Sequence, residues 1–321
     1  MVKNMYNKTH IAILALFFVF ALTVIPILSK AQSNNYKDDS LKNKVLSNNW
    51  ITQEYNLGDD NWQLDLLFYP QFRFKNARLD RIYLLQLNIN PALKFNLWRG
   101  AAATAQLILP VHNDFSTDEN RVRPGFLTFS QHLSLPGGVY ALISLGNFNM
   151  QRAGADIKVY KKIFRNAGFY AQAGYTYWSL PFLDSWTISK SGKTNWRVGA
   201  NYFFDKANIL INGNISKYLQ DDIAARGEII RFFKNSSVGF YIQTLQYEGY
   251  SLNGGFFFTI NLPPRNRNWK KRLNIYPAKR FSMEYVARPY PLRGIFYQTS
   301  PDENSSFNFF NKNLINNNLF L

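Results

Sequence analysis

His132 and Ser134 are the one pair in the chain whose types and spacing suggest hydrolysis. A seryl nucleophile needs an adjacent base, and the base an orienting group. Lipid deacylases of outer membranes carry such a His-x-Ser pair and present it to lipid. Here Thr128, Ser130, His132 and Ser134 alternate along one polar face, which turns the pair away from lipid. A polar ladder explains the same residues. His112 beside Asn113 and Asp114 offers too few ligands for a metal. Asp59-Asp60, Asp118-Glu119 and Asp221-Asp222 fall at strand ends or in loops, and no two carboxylates are set across a cleft as glycoside hydrolysis requires. Gly137-Gly138 and Gly254-Gly255 lack the strand-to-helix context of a phosphate loop. Cysteine is absent, so thiolate chemistry and disulfides are excluded. The expectation is a non-enzyme with no catalytic residue, cofactor or metal.

Charge is the stronger signal. The chain carries a formal +17. Between Leu262 and Arg280 stand Arg265, Arg267, Lys270, Lys271, Arg272, Lys279 and Arg280, with no acid, alongside Trp269 and Tyr276. Such a cluster attracts polyanions: lipopolysaccharide phosphates, acidic polysaccharide or an acidic periplasmic export protein. A solvated loop is the plainer alternative. Nucleic acid is excluded as a partner if the chain is exported.

These residues need elements to position them, and alternation supplies those. Trp196, Val198, Ala200 and Tyr202 alternate with Arg197, Gly199 and Asn201. Ile209, Ile211 and Ile215 alternate with Asn208, Asn212, Asn214 and Ser216. Val238, Phe240 and Ile242, then Leu252, Phe256, Phe258 and Ile260, continue the rhythm. A period of two means strands with unlike faces. Ten-residue strands of this kind mark a transmembrane β-barrel, although a soluble β-sandwich also alternates. Aromatic residues reach 17% while hydrophobic residues total only 46%. That balance suits aromatics turned to lipid and polar residues turned to a lumen.

The expected fold is therefore all-β: an antiparallel outer-membrane barrel of about 14 strands, within 12–16. Leu85, Leu87 and Ile143 should face lipid, and Gln86, Asn88 and Ser144 the interior. Arg197, Arg226 and Glu228 should form a charged ladder inside. Pro91 predicts an edge or bulge in the second strand. Residues 281–287 and 292–299 are read as the last two strands. Residues 113–125 and 179–193 are read as long loops, and 262–280 as a loop outside the sheet. Were 113–125 to fold inward, a diffusion porin would be favoured.

Lys3, Lys8 and His10 precede an apolar run from Ile11 to Leu28, and Ser29-Lys30-Ala31 supplies small residues for cleavage after Ala31. The domain reading is a signal peptide at 1–31, a polar periplasmic lead-in at 32–60, the barrel at 61–299 and a tail at 300–321. An exported chain of this kind is expected in the cell outer membrane, in contact with its lipid and lipopolysaccharide.

Tyr218-Leu219-Gln220-Asp221-Asp222, Arg226-Gly227-Glu228, Arg231-Phe232 and Val238-Gly239-Phe240 follow in a definite order. Tyr247-Glu248-Gly249-Tyr250, Gly254-Gly255-Phe256 and Ile260-Asn261-Leu262-Pro263 continue it. This order resembles the barrel region of the YjbH family, outer-membrane proteins tied to exopolysaccharide production. The Ile89-Asn90-Pro91 and Arg123-Pro124-Gly125 stretches are compatible with it. The family's acidic, glycine-rich run is fuller than Glu248-Gly249 here. The resemblance implies a non-catalytic barrel assisting secretion or assembly of surface polysaccharide.

Overall fold

The structure is a computed structural model. It describes residues 63–302 apart from 76–83, 99, 115–117, 165, 205, 234–235, 247–248, 263–271, 279 and 287–292. The expected signal peptide, lead-in and most of the tail lie outside the described residues.

Among the described residues fourteen strands form one sheet. They are β1 (Gln63–Lys75), β2 (Leu84–Trp98), β3 (Ala101–Asn113), β4 (Arg123–Leu135), β5 (Val139–Phe148), β6 (Arg152–Phe164) and β7 (Ala167–Pro181), followed by β8 (Trp186–Phe204), β9 (Ile209–Lys217), β10 (Ile223–Phe232), β11 (Ser236–Gln246), β12 (Tyr250–Asn261), β13 (Leu273–Pro277) and β14 (Arg280–Val286). From β1 to β12 each strand pairs antiparallel with its neighbours in sequence. Among the described residues no helix is long and apolar enough to cross a membrane.

The edges are unusual. β13 pairs with β1 in parallel, from Leu64↔Leu273 to Phe68↔Pro277. β14 pairs antiparallel with β12, from Asn261↔Arg280 to Gly255↔Val286. Both therefore run in the direction of β1, one after the other. Ala278 between them donates its N–H to Phe68 O at 2.8 Å. The two edge strands are thus consecutive in the chain, and β1 and β14 approach within 8 Å at their Cα atoms. The hydrogen-bond ladder itself is not closed.

Four expectations need correction here. Residues 262–280 are not wholly outside the sheet, because β13 and the start of β14 belong to it. Leu273 and Ile275 are exposed while Asn274 is buried and donates to Asp65 Oδ1 at 3.2 Å. That alternation is real but short, and the surrounding cations obscure it. The loop read over 179–193 shrinks to residues 182–185, because the strands pair almost to the tip, Pro181 opposite Trp186, past a shift between Tyr177 and Ser179. Residues 293–302 are not a strand. Pro91 marks neither an edge nor a bulge: β2 lies between β1 and β3, and Pro91 pairs with Phe68. The β2–β3 register is the same at Ile89↔Leu109 and Ala92↔Gln106, with Asn90 and Pro91 merely skipped because proline has no N–H to give the ladder.

The two faces of the sheet are chemically inverted relative to a soluble core. Phe240, Ile242, Ile229 and Ile215 are exposed by 53–64%. Gln86, Asn88, Asn195, Asn212, Ser144 and Glu228 are buried to 4% or less. Apolar burial normally drives folding in water, so a sheet with this pattern hides the wrong face for water. Leu87 and Ile89 turn outward as the alternation predicts.

The buried face is not uniformly polar. Toward the end of the short turns, Tyr160, Tyr170, Phe203, Leu210, Ile230, Phe232, Tyr241 and Phe257 pack into one apolar cluster, with Tyr140 against it. Several of these rings lie over glycines of the next strand. A Cβ on Gly168 would meet Tyr160, one on Gly199 would meet Tyr170, and one on Gly239 would meet Phe257.

Candidate functional site: the buried face and the segment laid across it

β10 places Arg226 and Glu228 on the buried face because they are two residues apart on a strand. Arg226 Nε donates to Glu228 Oε1 at 2.7 Å, and Nη2 reaches Glu284 Oε1 of β14 at 3.2 Å. The guanidinium also lies 3.7 Å from the Tyr241 ring centre, a cation–π contact. Asn212 of β9 donates to the other Glu228 oxygen at 2.9 Å and accepts from Tyr170 Oη of β7 at 2.9 Å. One bonded chain thus crosses β7, β9, β10 and β14. Arg197 of β8 is not joined to Arg226 directly. Its Nε donates to Ser216 Oγ at 3.1 Å, and its guanidinium sits 4.3 Å above the Phe296 ring centre.

Phe296 belongs to the stretch from Arg293 to Asp302, which crosses the buried face. Gly294 N donates to Asp222 Oδ2 at 3.0 Å and Gly294 O accepts from Gln243 of β11 at 3.1 Å. Ile295 O accepts from Leu219 N at 3.2 Å. Tyr297 stacks on Phe148 of β5 with ring centres 5.4 Å apart, and its Oη donates to Asp156 Oδ2 of β6 at 2.6 Å. Gln298 N donates to Asn149 Oδ1 at 2.6 Å, and Lys158 of β6 donates to Thr299 Oγ1 at 2.9 Å. Asp302 accepts from Tyr69 of β1 at 2.7 Å, pairs with Lys94 of β2 at 3.4 Å, and offers its carbonyl to Arg280 of β14 at 3.2 Å.

Those contacts fix the shape of the sheet around them. From Gly294 to Asp302 is eight residues, at most ~29 Å of chain. From β11 to β2 along the sheet is nine strand spacings, ~43 Å if flat. With β6 touched in between, the sheet must curl around the segment.

Of the basic cluster, Arg265, Arg267, Lys270, Lys271 and Lys279 lie outside the described residues. Arg272 is exposed just before β13, its carbonyl accepting from Leu64 N at 2.8 Å. Arg280 points to Asp302. Ser134 is exposed, whereas His132 sits opposite Leu142 in the β4–β5 ladder. His112 Nε2 lies 3.2 Å from Asp114 Oδ2. Among the described residues no group of three or more His, Cys, Asp or Glu is placed to hold a metal. Of the described residues in 113–125, Asn113 ends β3, Asp118–Asn120 form a short 3-10 turn and Arg123–Gly125 begin β4, and Glu119 accepts from Gln86 at 2.9 Å.

Sequence reasoning missed the segment as an occupant and missed the inward aromatics. The glycines opposite those aromatics were the available signal, since each leaves room for a ring on the neighbouring strand. Fold and site together define an all-β protein whose sheet exposes its apolar face and folds its polar face around its own C-terminal segment. No protein-family model, curated protein or solved structure matches the chain.

Proposed function

We propose that the chain is a non-catalytic transmembrane β-barrel of a bacterial outer membrane that assists the passage or assembly of acidic surface polysaccharide. The inverted sheet is the observation that carries the membrane reading: Phe240 and Ile242 outside, Gln243 and Glu228 inside. Strands of 9–19 residues are long enough for a tilted crossing of a hydrocarbon layer, and the shorter β13 and β14 together make one further course. Closure then runs through β13 and β14, with a parallel seam against β1. A parallel seam is what an odd number of courses requires.

The polysaccharide part rests on the resemblance to the YjbH family, the +17 charge and the basic run 262–280. The porin reading is disfavoured because the segment 293–302 occupies the polar face. The expected location, with lipid and lipopolysaccharide around the barrel, follows from the same reading.

The test replaces Arg265, Arg267, Lys270 and Lys271 with Gln. Unboiled protein should keep its shifted gel mobility, because these residues precede β13. Surface polysaccharide, or retention of acidic polymer in vitro, should fall, and the difference should shrink as salt rises. Unchanged polysaccharide together with unchanged retention at low salt would remove the basic run from the account.

A further inference from the structure

The contacts of residues 293–302 have the chemistry of a carbohydrate site. Two of its donors are met by carboxylates, Gly294 N by Asp222 and Tyr297 Oη by Asp156, and Gln298 N by the Asn149 amide oxygen. Two of its residues offer acceptors to cations, Thr299 to Lys158 and Asp302 to Lys94 and Arg280, while Gly294 O and Ile295 O take neutral donors from Gln243 and Leu219. Its flat groups are met by aromatic faces or by a guanidinium: Tyr297 by Phe148, and Phe296 by Tyr218 and Arg197. A sugar acid offers the same three kinds of group, namely hydroxyl donors, carboxylate acceptors and an apolar ring face.

A second observation points the same way. Asn201, buried to 4%, has neither side-chain polar atom bonded, and Ser144 Oγ and Asn88 Oδ1, each buried to 1%, are likewise without a partner. Buried polar atoms ordinarily find partners, since leaving them unmade is costly. Here they share the polar face with the segment. Hydroxyl-rich chains satisfy such atoms in either sense, as donor or acceptor.

We infer that the track Asp222–Arg197–Asp156–Lys158–Lys94 is a binding site for an extended acidic glycan, and that residues 293–302 are its displaceable internal stand-in. This rests on the membrane-barrel reading and names the ligand of that same interior. With the stand-in seated, only the fraction of molecules that has released it binds glycan, so apparent affinity falls by that fraction. The segment is held by many modest contacts rather than a covalent tie, which suits exchange.

The experiment compares the full chain with a variant ending at Leu292 in planar bilayers, with polygalacturonate and neutral dextran of matched length as probes. The shortened barrel should conduct more and be blocked by polygalacturonate but not by dextran. Adding Lys94→Gln or Lys158→Gln to it should weaken the block about tenfold each, the scale of one charged hydrogen bond. In the full chain, Asn149→Cys with Gln298→Cys gives a reversible lock in a background free of other cysteines. Polygalacturonate block should be lost on oxidation and return on reduction, which serves even if the shortened chain does not fold. Equal block in both redox states, or equal block by dextran, would overturn the inference while leaving the barrel standing. A full chain that never inserts would instead sink the membrane reading.

Discussion

Tyr297 Oη donates to Asp156 Oδ2 at 2.6 Å, across 141 positions of sequence. Asp156 Oδ2 also accepts from Gln172 Nε2 of β7 at 3.0 Å. One carboxylate oxygen therefore joins two adjacent wall strands to the segment inside. That geometry lays the segment on the polar face of the sheet.

Glu228 should matter far more than a loop acid. It is buried to 3% and accepts from both Arg226 and Asn212. Glu228→Ala leaves a buried guanidinium with Glu284 as its remaining anion, and should cost about 3 kcal/mol. Asp118→Ala, in the short 3-10 turn, should stay within about 0.5 kcal/mol. Urea unfolding of the refolded protein in detergent measures both, and equal small effects would remove the ladder as a structural feature.

Two glycines give an opposite pair. A Cβ on Gly239 would run into the Phe257 ring, whereas one on Gly213 meets nothing within 4 Å. Gly239→Ala should destabilise by about 1–3 kcal/mol through overpacking. Gly213→Ala should be neutral or stabilising. The same unfolding assay decides, and a tolerated Gly239→Ala would show that the rings do not lie against the glycines.

Acid should loosen the β9–β10 loop. The Lys193 ammonium, hydrogen-bonded to Asp221 at 2.6 Å, holds that carboxyl below the usual range, with Lys217 adding to it. A depressed folded value means that the contribution is present above the ordinary carboxylate value of about 3.9 and is lost as pH falls through the lower folded value. Hydrogen exchange of residues 218–222 should therefore quicken at acid pH beyond the intrinsic rate. Asp221→Asn should abolish this pH dependence. If the variant shows the same acid response, Asp221 is not its source.

Much of the wall was legible because a strand's side chains have a period of two and few competing readings. Val198, Ile211 and Phe240 announced the exposed face, and Asn212, Asn214 and Gln86 the buried one. Ile230 and Phe257 broke the rhythm, since inward apolar residues look like noise until Gly239, which pairs with both, is placed beside them. The segment 293–302 was misread as a strand for a physical reason. Ile295 and Tyr297 alternate as strand residues do, yet their partners are Leu219 in the β9–β10 loop, Phe148 of β5 and Asp156 of β6, which no local pattern encodes. β13 was hidden for the reverse reason, a true five-residue alternation sitting among cations.

The central claim is that the apolar face of this sheet lies in lipid, and single cysteines along β9 test it most directly. The chain has none of its own, so nitroxide labels at Ile211, Asn212, Gly213, Asn214 and Ile215 report one site each. In reconstituted bilayers, Ile211, Gly213 and Ile215 should be accessible to oxygen and shielded from a water-soluble nickel chelate, and Asn212 and Asn214 should not share that oxygen access. A strict alternation with period two is the predicted result. Equal chelate access at all five positions would contradict the account.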